Sequence, residues 1–393
     1  MQYKISILAL FFYSLQIKAQ TVYKSMLRLP DTGQIVSYTT TFGEDNDFNI
    51  YPPLFIQNNN GTVIDSITGL VWQKLDGGEM TIENATIYCD TLTLGNYNNW
   101  RLPNAHEAFS ILNHQLVNPA LIVQVFTTTA AEYWWTSDRQ ANDSSKVWAT
   151  NAGGGIGNHP KSETISAGGP KKFHVRAVRD AIAPVAIPNQ YTDNGNNTIT
   201  DHLTDLIWQK APFSDSLSWE QSLTYADTLT TAGFNDWRLP NIKELQSLND
   251  ETRINPSINS TYFNVTNVNK YWSSTTLPNQ TAKAWYLNTQ FGITTYDNKT
   301  VKHNLICVRS NQSSTAISTA KSITQRLFPN PFSNYLRIIN STGNEIFELI
   351  NLTGSIIYSG QIIEMHDFSQ LENGIYFLRI IDNSIITIKL IKN

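Results

Sequence analysis

Cysteine is almost missing from this chain: there are two, Cys89 and Cys307, and no Cys-x-x-Cys pair. That excludes a zinc ribbon and a thioredoxin-like redox site. Charge is also scarce, at 15% of residues against 41% hydrophobic and 11% aromatic. So much apolar material supports packed cores and excludes a disordered chain. The net charge is −4, and residues 58–180 and 191–310 each carry nine Lys/Arg against eleven Asp/Glu. With no basic field in either half, nucleic acid is not an expected partner. Long apolar runs are lacking too. Ile5 to Leu15 is a run of 11 residues, where a spanning helix needs about 20. Lys4 before it and Ile17-Lys18-Ala19 after it make a secretory signal over 1–19, with the mature chain starting at Gln20. The mature protein is therefore expected to be exported without a transmembrane segment. Export permits a disulfide, but the two cysteines fall in different repeats, and buried free thiols are the expected state.

What the chain does have is a duplication. Thr68-Gly69-Leu70-Val71-Trp72-Gln73-Lys74 matches Thr204-Asp205-Leu206-Ile207-Trp208-Gln209-Lys210, and Trp100-Arg101-Leu102-Pro103-Asn104 returns unchanged from Trp237, 137 residues on. Trp135 and Trp148 pair with Trp272 and Trp285 at that same offset of 137, whereas Arg179 pairs with Arg309 at 130, so the first copy is seven residues longer near its end. Each copy reads as a hairpin, two helices and a late group of strands. Ala85, Cys89 and Leu92, like Ser222, Ala226 and Leu229, fall at helical spacing. Ser218 with Gln221, Asn104 with Glu107, and Asn241 with Glu244 have capping-box spacing. The second helices are expected over 106–112 and 243–248, and strands over 133–136, 146–151 and 173–179.

The expected organisation is a signal peptide (1–19), a lead-in (20–57), copy 1 (58–180), a linker (181–190), copy 2 (191–310), a flexible tether (311–325) and a tail module (326–393). The linker holds two prolines and no charge. In the tail, short strand-like runs at 335–339, 346–351, 356–358, 375–380 and 385–391 suggest a small β-sandwich.

These motifs resemble known families. The series Asn60-Gly61-Thr62-Val63, Leu70-Val71-Trp72-Gln73-Lys74, Trp100-Arg101-Leu102-Pro103-Asn104, Tyr133-Trp134-Trp135-Thr136-Ser137 and Val175-Arg176-Ala177-Val178-Arg179 resembles the C-terminal domain of the bacterial collagen-like adhesins. That resemblance implies a C-type-lectin-like α+β fold and, for some members, adhesion to sulfated polysaccharides. A weaker similarity to the formylglycine-generating enzymes runs through Arg101-Leu102-Pro103 and Glu107, but that activity needs two cysteines in one domain and each copy has one. Leu327-Phe328-Pro329-Asn330-Pro331-Phe332, Asn373-Gly374-Ile375-Tyr376 and the closing Ile388-Lys389-Leu390-Ile391-Lys392 resemble the type IX secretion sorting domain. This implies engagement of that machinery and delivery across an outer membrane to the surface or the medium. The expected fold class is thus α+β: two tandem C-type-lectin-like domains and a small all-β, Ig-like sandwich.

Each candidate for chemistry competes with a structural role. Glu107 and Glu244 could pair as glycosidase acids, but their spacing from Asn104 and Asn241 favours capping. Asp65 and Asp201 lie at hairpin turns, and Asp90 and Asp227 on amphipathic helices. His106-Glu107 lacks a second ligand because position 110 is serine. Gly153-Gly154-Gly155 has no Lys-Ser/Thr after it and reads as a flexible loop rather than a phosphate loop. Asp193 to Asp201 alternates oxygen-bearing side chains but lacks the closing glutamate of a calcium loop. No catalytic residue, metal ligand or cofactor is assigned. Eight of the ten tryptophans pair off in register and read as core. Trp134 is unpaired, and next to Trp135 in a strand it would face the opposite way. It is the exposed-aromatic candidate. Lys171, Lys172, His174 and Arg176 form the other candidate site: Lys172, His174 and Arg176 alternate with Phe173, Val175 and Ala177, so a strand here presents a basic ridge to acidic or other polysaccharides. The expected function is an exported binding protein, a glycan-binding adhesin in its sharpest form. An enzyme, either a lectin-fold oxidase or a carbohydrate hydrolase, and a structural component of the envelope are the opposing readings, and the sequence sets no oligomeric state.

Overall fold

The structure is a computed structural model, described for residues 22–48, 50–127, 132–163, 168–265, 267–311, 326–328, 332–339, 345–351, 355–363, 366–381 and 385–392. The signal segment 1–19 and most of the tether, 312–325, lie outside the described residues. The chain divides into two compact units, Met1–Asn311 and Gln312–Asn393.

The first unit is mixed α+β, with small sheets and few helices. Each copy opens with a four-stranded antiparallel sheet. In copy 1 the order is Val178–Asp180, Leu70–Gln73, Thr62–Asp65, Phe55–Gln57, and copy 2 repeats it with Val308–Ser310, Leu206–Gln209, Thr198–Asp201, Tyr191–Asp193. A hairpin-rich second sheet follows: five strands in copy 1, centred on Tyr133–Gln140 and Asp143–Asn151, and three in copy 2, Lys270–Thr276, Lys283–Asn288 and Ile293–Asn298. Helices α1 (Ile82–Thr91) and α3 (Trp219–Thr228) hold Ala85 with Cys89 and Ser222 with Ala226, and α2 (Ala105–Ser110) and α4 (Ile242–Gln246) lie within two residues of the expected ranges.

The Trp-Arg-Leu-Pro-Asn motif explains why α2 and α4 start where they do. The Asn104 side chain accepts from the Glu107 N–H, and Glu107 accepts from the Asn104 N–H; Asn241 and Glu244 repeat the exchange. Arg101 then grips Glu107 through two bonds of 2.6 and 2.8 Å, and Arg238 grips Glu244 through two of 2.6 Å. A planar guanidinium matches a carboxylate in this way. Burial acts to raise the Glu107 carboxyl, but the Arg101 bonds and charge outweigh it and hold the group below the usual carboxylate range. The motif is a buried, ionised cap.

The sequence separates the two copies by a linker at 181–190. Each copy does keep clusters of its own, but one cluster spans both: Ile242, Leu277 and Trp285 of copy 2 pack with Trp72, Phe109, Trp134 and Trp148 of copy 1. The linker is also structured. Its Val185–Ile187, β-branched at both ends, pairs antiparallel with Val22–Lys24 of the lead-in. The lead-in continues between the copies, where the Gln34 amide donates to the Thr276 carbonyl at 2.6 Å and the His114 carbonyl at 3.3 Å. Asp45 accepts from Thr32 and Thr275, and Glu44 accepts from Thr276.

Two equivalent helix positions reach across the join. Lys243 of α4, only 1% exposed, donates to the Ser110 carbonyl of copy 1 at 2.6 Å and to the Asp31 carbonyl of the lead-in at 2.9 Å. Burial lowers its ammonium to about 8, so it remains charged at neutral pH. His106 of α2 faces Gln246 at 2.9 Å and Glu251 at 3.0 Å in copy 2.

The second unit is all-β. Its four-stranded antiparallel sheet runs Ile356–Gly360, Ile346–Asn351, Gly374–Ile381, Ile385–Lys392, and a separate two-stranded ladder joins Arg326–Phe328 to Arg337–Ile339. Tyr376, Leu378 and Ile380 alternate inward onto Phe347, Leu349 and Phe368.

The His106 contact makes docking depend on pH. Burial alone would lower the imidazole, but the Glu251 charge and hydrogen bond, with Gln246, bring it up to about 9. Because the folded value lies above the unfolded value of about 6.5, its stabilisation is complete below that pH and is lost as pH rises through about 9. Denaturant titrations of the wild type and His106→Gln should therefore differ most near pH 6 and converge near pH 10. A difference that grows with pH would contradict this assignment.

Candidate functional site

The sequence-predicted basic ridge does not form, because the strand that would carry it breaks. Phe173–His174 and Val178–Asp180 are separate strands in different sheets, so alternation does not persist through 173–179. Arg176 is 2% exposed and turned inward. Its guanidinium donates to the carbonyls of Gln73 (2.8 Å), Lys74 (2.5 Å) and Thr127 (3.0 Å). His174 is buried with Nδ1 3.1 Å from Asp76. Lys171 is part-buried, 3.8 Å from Glu163 and 5.7 Å over the Phe173 ring, which leaves Lys172 as the exposed member. Trp134 is 5% exposed and belongs to the shared core, so it offers no open aromatic face.

All ten tryptophans are buried. Equivalent indoles also make equivalent bonds. Trp100 donates to Leu94 and Tyr97 carbonyls as Trp237 does to Thr231, and Trp135 donates to Met80 as Trp272 does to Leu217. Indole N–H groups of the Trp72/Trp208 and Trp148/Trp285 pairs all have no hydrogen-bond partner. Matching environments in both copies are what a folding role produces.

The other sequence candidates resolve into local structure. Asp65 accepts from Ile67 and Thr68 N–H groups, and Asp201 from Leu203 N–H and the Thr204 hydroxyl, so both close hairpin turns. In the calcium-like run, Asp193 is taken by the Gly195 N–H and by Lys210. Among the described residues no cluster of His, Cys, Asp or Glu could hold a metal ion. Cys89 and Cys307 are free and buried, and burial pushes the Cys89 thiol up to about 12.

The open site is one the sequence did not reveal. A cavity of about 640 Å³ lies where copy 1 meets copy 2, lined by Asn118, Tyr133, Asn151 and the 152–155 loop on one side and by Trp285 and Thr294 to Tyr296 on the other, with Glu132 at its wall. That volume falls within the roughly 300–1,000 Å³ of small-ligand sites. Tyr296 is 40% exposed, edge-on to Trp285 at 5.5 Å and beneath Lys283 at 5.2 Å. Tyr133 stacks on Phe173 at 4.7 Å and meets His159 edge-on at 4.8 Å.

The glycine loop that the sequence presented as flexible is held on all sides. Asn151 Oδ1 accepts from Gly153 and Gly155 N–H groups, while His114 Nε2 meets the Gly154 carbonyl at 2.9 Å. Burial lowers His114 to about 3, so the ring is neutral and Nε2 carries its proton. Gly154 has φ +99°, and a Cβ there would lie 3.3 Å from Ala120 and 3.4 Å from Trp285. Across the join, Ile156 N–H donates to the Thr294 hydroxyl at 3.0 Å. The run Gly153-Gly154-Gly155 was the available signal, but its partner wall lies 130 or more residues away.

The Lcl C-terminal domain matches residues 61–179 and 197–309, and the secretion system C-terminal sorting domain matches 326–393. The chain belongs to the Lcl C-terminal domain family, of which it carries two copies, followed by a type IX sorting domain. That sorting domain marks it for secretion across the outer membrane to the cell surface or the medium. Among solved structures it is similar to PorZ of Porphyromonas gingivalis, described as an essential bacterial surface component of the type IX secretion system, at 11% identity and a TM-score of 0.17. The match covers 67% of this chain and 30% of that one; at that TM-score it carries no argument. No curated protein matches. Among the described residues no helix is long and apolar enough to cross a membrane.

Two substitutions separate buried from exposed members of the former ridge. Arg176→Ala removes a donor from each of three carbonyls and the positive charge 3.9 Å from Asp76, and should cost about 3–5 kcal/mol in chemical denaturation. Lys172→Ala should stay within about 0.5 kcal/mol of wild type.

Proposed function

We propose that the chain is an exported binding protein of the bacterial surface or its surroundings, and that it recognises glycans in the groove between its two copies. The observation that carries this reading is the lining. Tyrosine rings stand beside amides and hydroxyls of Asn118, Asn151, Thr294 and Thr295 on a rigid glycine floor. Sugars present apolar C–H faces for rings and hydroxyl groups for amides, and a held loop orders little on binding. Export places such a groove where polysaccharides are met.

Binding is favoured over hydrolysis by the same lining. Glycoside hydrolysis by the usual route needs two carboxyl groups about 5–9.5 Å apart, and among the described residues Glu132 is the single carboxyl of the lining. A C-type-lectin-like fold for each copy and an Ig-like sandwich for the sorting domain are the finer architecture that this proposal adopts.

A glycan array probed with the full chain tests the reading. The chain should bind at least one glycan, and Tyr296→Ala should weaken it about tenfold through the lost ring contact while thermal melting stays unchanged. Release of reducing ends would favour the enzyme reading. Absence of any binding would leave a structural role in the envelope.

A further inference from the structure

We infer that the groove selects neutral polysaccharide and disfavours sulfated or uronate-rich chains; this rests on the glycan-binding reading of the same groove. Among the described residues no Lys, Arg or His lines the cavity, while Glu132 is exposed at its wall. Recognition of sulfate or carboxylate draws on guanidinium or ammonium donors, and none is in place.

The cations nearby are otherwise engaged. Arg176, central to the ridge read from sequence, is spent on main-chain carbonyls inside copy 1. Lys171 stands by Glu163 and over Phe173. Lys283 lies over the Tyr296 ring and is not part of the lining. His159, against Tyr133, is lowered by burial and then by Lys171, so it adds no positive charge at neutral pH. A polyanion would therefore meet one carboxylate and no cation in the lining itself, with Lys283 set outside it over the Tyr296 ring, on a chain of net charge −4.

What the lining supplies instead suits an uncharged sugar. The side-chain amide of Asn118 can donate and accept, as can the Thr295 hydroxyl, while Asn151, its Oδ1 held by the Gly153 and Gly155 N–H groups, contributes through its amide nitrogen as a donor. Tyr296, 40% exposed, offers ring surface at the mouth. Such contacts are short-ranged and only weakly screened by salt, unlike attraction between exposed charges.

Matched polysaccharide pairs provide the test. The full chain is passed over neutral glucans, xylans, mannans and galactans and over a sulfated form of each, at about 50 and about 500 mM NaCl. At least one neutral backbone should retain it, within about twofold at both salts, and at least about tenfold more strongly than its sulfated form. Tyr296→Ala should abolish that preference by weakening neutral binding, and Glu132→Gln should raise retention on the sulfated form about fivefold. Preferential, salt-sensitive retention on sulfated members, still lost in Tyr296→Ala, would overturn the neutral class and leave groove binding intact. Neutral binding indifferent to Tyr296→Ala, with melting unchanged, would place the site elsewhere and overturn the inference. Retention by no member of either series would overturn this inference and the glycan reading together.

Discussion

A buried ammonium holds the first unit in one arrangement. Lys243 sits almost fully out of water and is solvated by carbonyls from the other copy and from the lead-in. A charge so placed is costly unless its donors are met, so the carbonyls of Ser110 and Asp31 must stay where they are. Its counterpart, His106, makes the reciprocal crossing to Gln246 and Glu251. With both in place, Trp285 reaches the core of copy 1, Thr294 meets Ile156, and the groove has two walls. The duplicated helix therefore has two tasks: a shared one, the Arg–Glu cap, and a divergent one, docking.

How much was legible from sequence follows the distance over which each feature is encoded. Capping boxes are written within four consecutive residues, so Asn104 with Glu107 and Asn241 with Glu244 could be read directly. Burial of the paired tryptophans was legible because matched positions in two copies report the needs of the fold. The ridge failed for a different reason. Alternation along 172–176 means opposite faces only while a strand lasts, and the strand ends at His174. Arg176 then turns inward to the carbonyls of Gln73 and Lys74, which pattern alone cannot show. Trp134 fails as an exposed aromatic because the face it points to is packed by copy 1 itself, where Ile111, Leu112 and Leu121 surround it.

The groove lay outside what the pattern could reveal. Its walls come from Asn118, Tyr133 and the 152–155 loop in one copy and from 294–296 in the other, positions that are not equivalent between repeats. Duplication draws attention to what the copies share, whereas this site comes from where they differ. The lead-in was likewise undervalued: Asp31, Gln34, Glu44 and Asp45 look like polar loop residues, yet they become the buried adhesive between the copies. Because the groove is walled by both copies, no single-copy motif announced it.

Fixed docking is the central claim, and differential scanning calorimetry of the full chain tests it most directly. The account predicts that both copies and the lead-in melt as one cooperative transition, its calorimetric enthalpy equal to its van't Hoff enthalpy, apart from any transition of the sorting domain. Two separate transitions for the copies would contradict a shared core, and with it the groove.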